Sequence, residues 1–499
     1  MTYSIVNRIV SGPPSPGHRI RFARLDATES IELTELYAMA GRVAQGLREL
    51  GIGPGDRIGI LAPNCLEWVL LDLAALRLQA VTAGFEFGKY AAGELPARYG
   101  LRLLFTDRAG DTPQILDIGT IRALAAGSAE PDLPAVRYAA EDVTTLKFTS
   151  GSTGQPKALA ASVGSIDSSL RAVQEMFQHT DGDDLFVFLP LSLLQQRYWI
   201  YSALCFGHDV TVSTYEAAFV ALRATRPTVV MGVPGFFETA RKHIASRSGA
   251  PAEAARALFG DRIRYLWTGS APASADVLRF FTGVGLPIFE GYGLNETCIV
   301  TKNHPGAHRE GSVGTVLPGK QVLLDEHGVI SVRSDHPVNR RYEYAAPGES
   351  ERVFGPDGVV RTGDLGYFDE DGFLYIRGRA DDVIVLDNAR KIVVRPIEER
   401  MKTSPAIEEC VVLCADRTHL VAVVSPATEP ADEAAISTAL RHTNAVFGGD
   451  EQLRKVVIAR PRFSIQNNTL TSQYKPQRNR ILDLYRSEIE DHRKGIHAR

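Results

Sequence analysis

The sequence predicts an α/β protein: a large N-terminal domain of parallel-rich sheets covered by helices, a smaller antiparallel unit from about residue 311, and a small α+β domain from about residue 380. Three observations predict it. Apolar strand-like runs alternate with helically periodic segments up to about residue 300, and such alternation builds parallel sheets buried under helices. From about 311 the texture changes to short strands and turns, "GSVGTVLPG", "HGVISVRS" and "DEDGFLYIRGR", the pattern of an antiparallel unit. Beyond about 380, "IVVRPIEERMKT", "ECVVLCAD" and "HLVAVVSP" mix strand and helix.

Taken in order, residues 29–50 ("ESIELTELYAMAGRVAQGLREL") carry apolar residues at helical spacing, and "GIGPGDRIGILAPN" turns into a buried strand. "VTTLKF" (143–148) is β-branched and apolar enough for a strand. "ALAASVGSIDSSLRAVQEMF" (158–177) predicts a helix. "DLFVFL", "DVTVS", "PTVVMGV" and "RYLWTG" predict further buried strands. Between the first strand and helix lies "TSGSTGQPK" (149–157). Strand, glycine-rich loop and helix form a phosphate-binding layout. Gly151 and Gly154 let backbone N–H groups turn inward, the hydroxyls of Thr149, Ser150, Ser152 and Thr153 add donors, and Lys157 adds charge. The Walker pattern is absent, because Lys157 stands between Pro156 and Ala158. A flexible glycine/serine joint is the competing reading of the loop taken alone.

Bulk properties narrow the classes. The 499 residues suggest about three domains or subdomains, and 44% hydrophobic with 23% charged residues is ordinary for a soluble globular protein. A net charge of −4 without a basic block argues against nucleic acid as a partner. No apolar run approaches membrane-spanning length and the N-terminus lacks a signal-peptide core, so a cytoplasmic location is expected. Cys65, Cys205, Cys298, Cys410 and Cys414 are odd in number and form no Cys-x-x-Cys pair, which indicates neither a disulfide framework nor a zinc site. Cys410 and Cys414 read as buried strand thiols. His304 and His308 are separated by Pro305 and Gly306, which forbid the helix that would aim both at one metal.

Two further segments carry chemistry. "EGYGLNET" (290–297) sets Glu296 after a glycine-tyrosine-glycine turn, and "RTGDLGYFDEDGFLYIRGRADD" (361–382) contains Asp364 and Arg379 in loops. With these in order, the chain resembles the superfamily of adenylate-forming enzymes: acyl- and aryl-CoA synthetases, peptide-synthetase adenylation domains and luciferases. The resemblance runs from "GPGDRIGILAPN" to "NNTLTSQYKPQR".

The resemblance implies roles. Residues 149–157 would take the triphosphate of ATP, and "GSAP" (Ser270, Ala271 and Pro272 within it) would lie beside adenine. Glu290, Gly291, Tyr292, Gly293 and Asn295 would also face the nucleotide, as would Arg390. Glu296 would bind Mg²⁺, since a hard cation takes carboxylate oxygen. Asp364 would accept from the ribose hydroxyls with Arg379 nearby, and Lys475 would stabilise charge at the α-phosphate during attack. The catalytic set is thus Lys475, Glu296 and Thr153. Asp381 falls at the family's hinge, giving an AMP-binding domain over 1–378, a hinge at 379–382 and a mobile C-terminal domain over 383–499. Leu193, Arg197, Trp199, Gly232, Val233 and Leu294 would line the substrate pocket.

"RPTVVMGVPGFFE", "LPLSLLQQR" and "IVLDN" look most like long-chain acyl-CoA synthetases, which favours an apolar acyl substrate. Four positions depart from that pattern. Leu193 and Val163 replace family histidines, Asn295 replaces the threonine before the magnesium glutamate, and Ala389 replaces a glycine near the pantetheine tunnel. The resemblance implies an ATP- and Mg²⁺-dependent ligase that activates a carboxylate and passes it to a thiol, with CoA as the expected co-substrate. The alternatives are a carrier protein or amine as acceptor, nitrite activation for diazotisation in secondary metabolism, and a non-catalytic nucleotide-binding paralogue.

Overall fold

The computed structural model describes residues 4–108, 110–127, 131–149, 157–338, 340–388, 390–415, 418–471, 475–491 and 493–498. It divides into two compact units: residues 1–323, 331–362 and 368–374 form the first, and 324–330, 363–367 and 375–499 the second.

In the first unit, among the described residues, a nine-stranded sheet runs Thr315–Val316, Cys298–Lys302, Ile288–Leu294, Tyr265–Thr268, Val229–Gly232, Asp184–Val187, Asp209–Val212, Arg19–Ala23, Thr28–Glu32. Its central pairs are parallel and its ends antiparallel. The central strands are buried throughout, which is why they read as continuous apolar runs. A second, six-stranded sheet runs Ile115–Asp117, Leu103–Thr106, Arg57–Leu61, Val81–Gly84, Val143–Thr149, Lys157–Ser162. Outside these two sheets, Lys320–Leu324, Val329–Ser334, Val359–Phe368 and Leu374–Arg379 are the strands of a further four-stranded sheet, which does not fall within the first unit alone.

Between the two large sheets' strands in sequence lie amphipathic helices. Leu33–Glu49 buries Leu33, Leu36, Ala40, Val43, Ala44 and Leu47 along one stripe and packs on Leu66–Arg77. Truncating Leu36, which is fully buried, to alanine costs about 2–5 kcal/mol.

Two sequence expectations are corrected here. The helix expected over 29–50 starts at Leu33, because Thr28–Glu32 is a strand with Ile31 opposite Ile20. The helix expected over 158–177 starts at Val163, because Lys157–Ser162 is a strand antiparallel to Val143–Thr149. Small apolar residues such as Ala158 and Leu159 suit either period, so the partner strand decides. Ser162 then caps the helix, its Oγ accepting from Ser165 N at 3.3 Å. The loop that ends at Lys157 therefore joins two paired strands instead of opening a helix.

In the second unit, Ile407–Leu413, Leu420–Pro426, Leu453–Ile458 and Ile496–His497 form a four-stranded sheet, and Val383–Val385 pairs with Lys391–Val393. Helices Arg395–Met401 and Glu433–Asn444 supply Ile397, Met401, Ile436 and Leu440 to its core, which also contains Cys410. Cys414 is half-buried.

Candidate active site

The strand Ile288–Leu294 organises the first group of residues. It pairs parallel with Tyr265–Thr268, then turns antiparallel to Cys298–Lys302, with a bulge between Tyr292 and Gly293. Glu290, Gly291, Tyr292, Gly293 and Leu294 therefore lie in a strand, and only Asn295 and Glu296 enter the turn after it. This corrects the expected glycine-tyrosine-glycine turn. The glycines serve close approach instead: a Cβ on Gly293 would meet the Cys298 carbonyl oxygen at 2.0 Å. The Leu294 N–H donates to Thr297 Oγ1 at 2.9 Å, closing the turn that carries Glu296.

Glu290 is buried and accepts from Ala273 N at 3.0 Å, which pins the loop holding Ser270, Ala271 and Pro272. Ser270 adopts φ +69°, the left-handed region, so this loop turns sharply. Beneath it, the buried Lys302 donates to the carbonyls of Thr268 (3.1 Å) and Phe289 (2.8 Å), and sits 3.8 Å from the Trp267 ring centre. Burial holds its ammonium well below the usual lysine range, with Glu290 opposing. Lys302 ties the ends of two strands together. Nothing in its sequence context singles it out.

At the end of the glycine-rich loop, Lys157 Nζ lies 2.9 Å from Glu349 Oε1 and 5.0 Å from the Tyr342 ring centre. The Tyr342 hydroxyl donates to Glu296 Oε1 at 2.7 Å. Lys157 holds the Glu349 carboxyl below its ordinary range. Tyr342 and Glu349 were not among the residues that the sequence pointed to. Ser150, Gly151, Ser152, Thr153 and Gly154 lie outside the described residues, as does the side chain of Thr149.

The expected pocket residues separate. Arg197 is 1% exposed and engaged by a buried ion pair: Nη1 lies 2.7 Å from Asp72 Oδ1, Nη2 donates to Thr145 Oγ1 at 2.8 Å, and Tyr201 donates to Asp72 at 2.5 Å. Nη1 also donates to Thr82 Oγ1 at 3.2 Å, so Arg197 cross-links two strands and two helices, against the expectation of a substrate contact. Trp199 is buried edge-on to Trp267, with ring centres 5.0 Å apart. Gly232 ends its strand against Phe237, and Val233 begins the helix Pro234–Ala245. Leu193 precedes the helix Leu194–Ser202 and, like Leu294, is half-buried.

The second unit brings together another set. Asp364 lies in the strand Val359–Phe368 and Arg379 ends the strand Leu374–Arg379, which corrects the loop placement of both. Their flanking glycines disguised the strands. Arg379 Nη1 is 3.1 Å from Asp364 Oδ1, and Nη2 is 3.6 Å from Asp381. Asp364 is buried, whereas the Asp381 side chain is 85% exposed. Lys475 joins this pair by charge: desolvation lowers its ammonium, Asp364 opposes and Arg379 adds to the shift. Arg390 points to Asp450 at 3.7 Å on the surface. Ala389 lies outside the described residues.

Residues 15–335 match the family model described as AMP-binding enzyme, and residues 381–495 match the AMP-binding enzyme C-terminal domain. The long-chain-fatty-acid–CoA ligase FadD15 of Mycobacterium bovis is 27% identical over 546 residues, covering 90% of this chain and 89% of that protein. The 3-hydroxybenzoate–CoA ligase of Aromatoleum sp. is 26% identical over 489 residues, covering 88% and 89%. Among solved structures, o-succinylbenzoate CoA synthetase (MenE) of Bacillus subtilis, in complex with its acyl-adenylate intermediate, aligns with a TM-score of 0.79 at 21% identity over 99% of this chain and 100% of that one. That likeness is one of fold.

Proposed function

This chain belongs to the AMP-binding enzyme family, and from that premise we propose that it uses ATP to activate a carboxylate as an acyl-adenylate and passes the acyl group to a thiol, CoA. The observation that carries the reading is the chain of contacts Lys157–Glu349 and Tyr342–Glu296, which sets an ammonium and a carboxylate beside the phosphate-loop strand.

A carboxylate oxygen attacks the α-phosphorus, the bond to the β-phosphate breaks, and pyrophosphate leaves. The thiolate then adds to the acyl carbon and AMP departs. In this reading Lys157 neutralises phosphate charge, and the loop pinned by Glu290 flanks the adenine. Asp364 accepts from the ribose, and Lys475 stabilises negative charge as attack proceeds. The donor set suits magnesium: Glu296 offers a hard carboxylate oxygen, steadied by Tyr342. Among the described residues there is no group of three or more His, Cys, Asp or Glu that could hold a metal, and Glu296 would be the residue that holds the ion. Bound magnesium offsets the charge of the phosphates.

In this proposal the C-terminal domain over 383–499, with Asp381 in its hinge at 379–382, swings between the two half-reactions. A carrier-protein pantetheine would present the same thiol chemistry as CoA. Among the described residues no helix is long and apolar enough to cross a membrane. The test is ATP–pyrophosphate exchange over a panel of acids, followed by mass spectrometry of products with CoA. Exchange with at least one acid and a thioester product are expected; ATP binding without turnover on every acid would overturn the reading.

A further inference from the structure

The proposed site draws on both large sheets. Lys157 opens the strand Lys157–Ser162 of the six-stranded sheet, and the partner strand Val143–Thr149 sets Thr149 opposite it. The loop of Ser270 and the turn of Glu296 continue Tyr265–Thr268 and Ile288–Leu294, strands of the nine-stranded sheet. One helix, Leu194–Ser202, connects to all three, and three consecutive residues in it reach different partners. Arg197 Nη2 donates at 2.8 Å to Thr145 Oγ1, in the strand paired with Lys157. The Tyr198 hydroxyl oxygen lies 3.5 Å from Sγ of Cys298, two residues after Glu296. Trp199 meets Trp267, three residues before Ser270, with ring centres 5.0 Å apart.

Of the three, Arg197 makes the directional contacts. Thr82 and Thr145 are register partners on neighbouring strands. Arg197 Nη1 donates to Thr82 Oγ1 at 3.2 Å, Thr82 donates to Asp72 Oδ1 at 3.1 Å, and Thr145 donates to the Thr82 carbonyl at 3.1 Å. Asp72, in the helix Leu66–Arg77, accepts Arg197 Nη1 on the same oxygen and the Tyr201 hydroxyl on the other. In this pattern each threonine hydroxyl donates once and accepts from Arg197, which fixes the orientation of the guanidinium fork. The chain entering the helix is pressed close as well: a Cβ on Gly84, at the end of Val81–Gly84, would meet Ser192 Cα at 3.0 Å. Stability alone does not account for this network. Replacing a buried ion pair by apolar side chains of similar volume is often neutral or stabilising, and Arg197 Nε is buried without a partner among the described residues. An apolar filling would let the helix slide or rotate on the sheet, whereas the fork and its hydroxyl partners set its register.

We propose that Arg197, clamped by Asp72, is a positioning residue for adenylation, holding Lys157, Glu296 and the loop of Ser270 at their mutual spacing without touching substrate. The inference rests on the carboxylate-activation reading. A misplacement of about 1 Å can cost about a hundredfold in rate, so a loosened helix acts on attack at the α-phosphate, where all three parts meet in that reading. Transfer to a thiol no longer needs the triphosphate held, and changes little.

The experiment compares, in the full chain, single-turnover adenylation with transfer from a supplied acyl-adenylate to CoA. Arg197→Lys keeps the charge without the fork. Thr145→Val keeps the β-branched shape and the Arg197–Asp72 pair without the hydroxyl. Arg197→Lys should slow adenylation by about tenfold or more and Thr145→Val by about threefold or more, with transfer held within about twofold in both. Loss of folded protein lowers the two half-reactions alike, so equal losses, or none, would overturn the proposal. If Arg197→Lys does not fold, the same comparison on Thr145→Val decides alone. If wild type adenylates no acid, or passes none to CoA, the activation reading fails on its own, and calorimetric titration with ATP plus magnesium and with adenosine decides the positioning. An ATP complex weakened by about threefold or more in Thr145→Val, with adenosine unchanged, supports it. Equal weakening of both, no weakening, or no binding by wild type overturns it.

Discussion

The ammonium of Lys157 lies 2.9 Å from the carboxylate of Glu349. Both side chains are largely screened from solvent, at 11% and 12% exposure, so this pair is held more firmly than a free surface ion pair. In the proposed reaction the triphosphate competes with Glu349 for the same ammonium. Glu349→Gln keeps an acceptor and removes the competing charge. The expected result is a KM for ATP lowered by about two- to fivefold, the range of a modest ion pair. Steady-state exchange at saturating acid measures it. A raised KM would mean that Glu349 serves to aim Lys157, not to compete for it.

Glu296→Gln exchanges one carboxylate for an amide while still accepting from Tyr342, whose hydroxyl lies 2.7 Å away. The turn should hold. Magnesium should bind more weakly, so the half-saturating Mg²⁺ concentration rises by about tenfold or more. Titration of exchange activity against Mg²⁺ checks this, and an unchanged titration would remove Glu296 from the metal.

Two buried histidines should cost the fold stability as pH falls. Burial lowers His179 to about 3 and His208 to about 4, from an ordinary value of 6.5. Between 6.5 and those values the unfolded chain binds more protons than the folded one, so stability falls as pH drops through that window. Each histidine contributes a slope of about 1.4 kcal/mol per pH unit there. His208 Nδ1–H donates to the Asp209 carbonyl, and Nε2 of the neutral ring accepts from Ser202 Oγ, contacts that glutamine can partly imitate. His208→Gln should lower neutral-pH stability but flatten the slope of urea stability against pH between about 6 and 4 by about one proton. An unaltered slope would show that His208 does not bind its proton on unfolding.

The alternation of apolar strands with periodic helices made the parallel-rich first unit legible, because strands such as Val229–Gly232 are buried on both faces and flanked by turns. Segment ends were harder. Lys157–Ser162 is strand only because Val143–Thr149 lies beside it, a fact of pairing that no local period records. Site residues divide the same way. Lys157, Glu290 and Asp364 sit in motifs, whereas Glu349, Tyr342 and Lys302 carry no local signature. Their chemistry arises from partners distant in sequence: Tyr342 from Glu296, Lys302 from Thr268 and Phe289. Arg197 shows the converse, since a motif position suggested substrate while Asp72, far upstream, claims its charge.

The last prediction concerns Lys475, which shares an electrostatic neighbourhood with Asp364 and Arg379. In the proposed reaction its charge matters most while the carboxylate attacks the α-phosphate, and much less once the adenylate exists. Lys475→Ala should therefore slow adenylation by about a hundredfold or more, the size of losing a donor that acts mainly in the transition state. Transfer from a supplied acyl-adenylate to CoA should change far less. The lowered ammonium adds a pH signature. A lysine must be protonated to supply charge, so adenylation falls as pH rises through its folded value, which desolvation sets below the ordinary 10.5. Lys475→Arg, whose charge persists to higher pH, should move that alkaline limb upward even if its rate is lower. Single-turnover rates of both half-reactions across pH give the answer. Equal losses in the two half-reactions, or an alkaline limb that arginine leaves in place, would assign the charge at the α-phosphate to another residue.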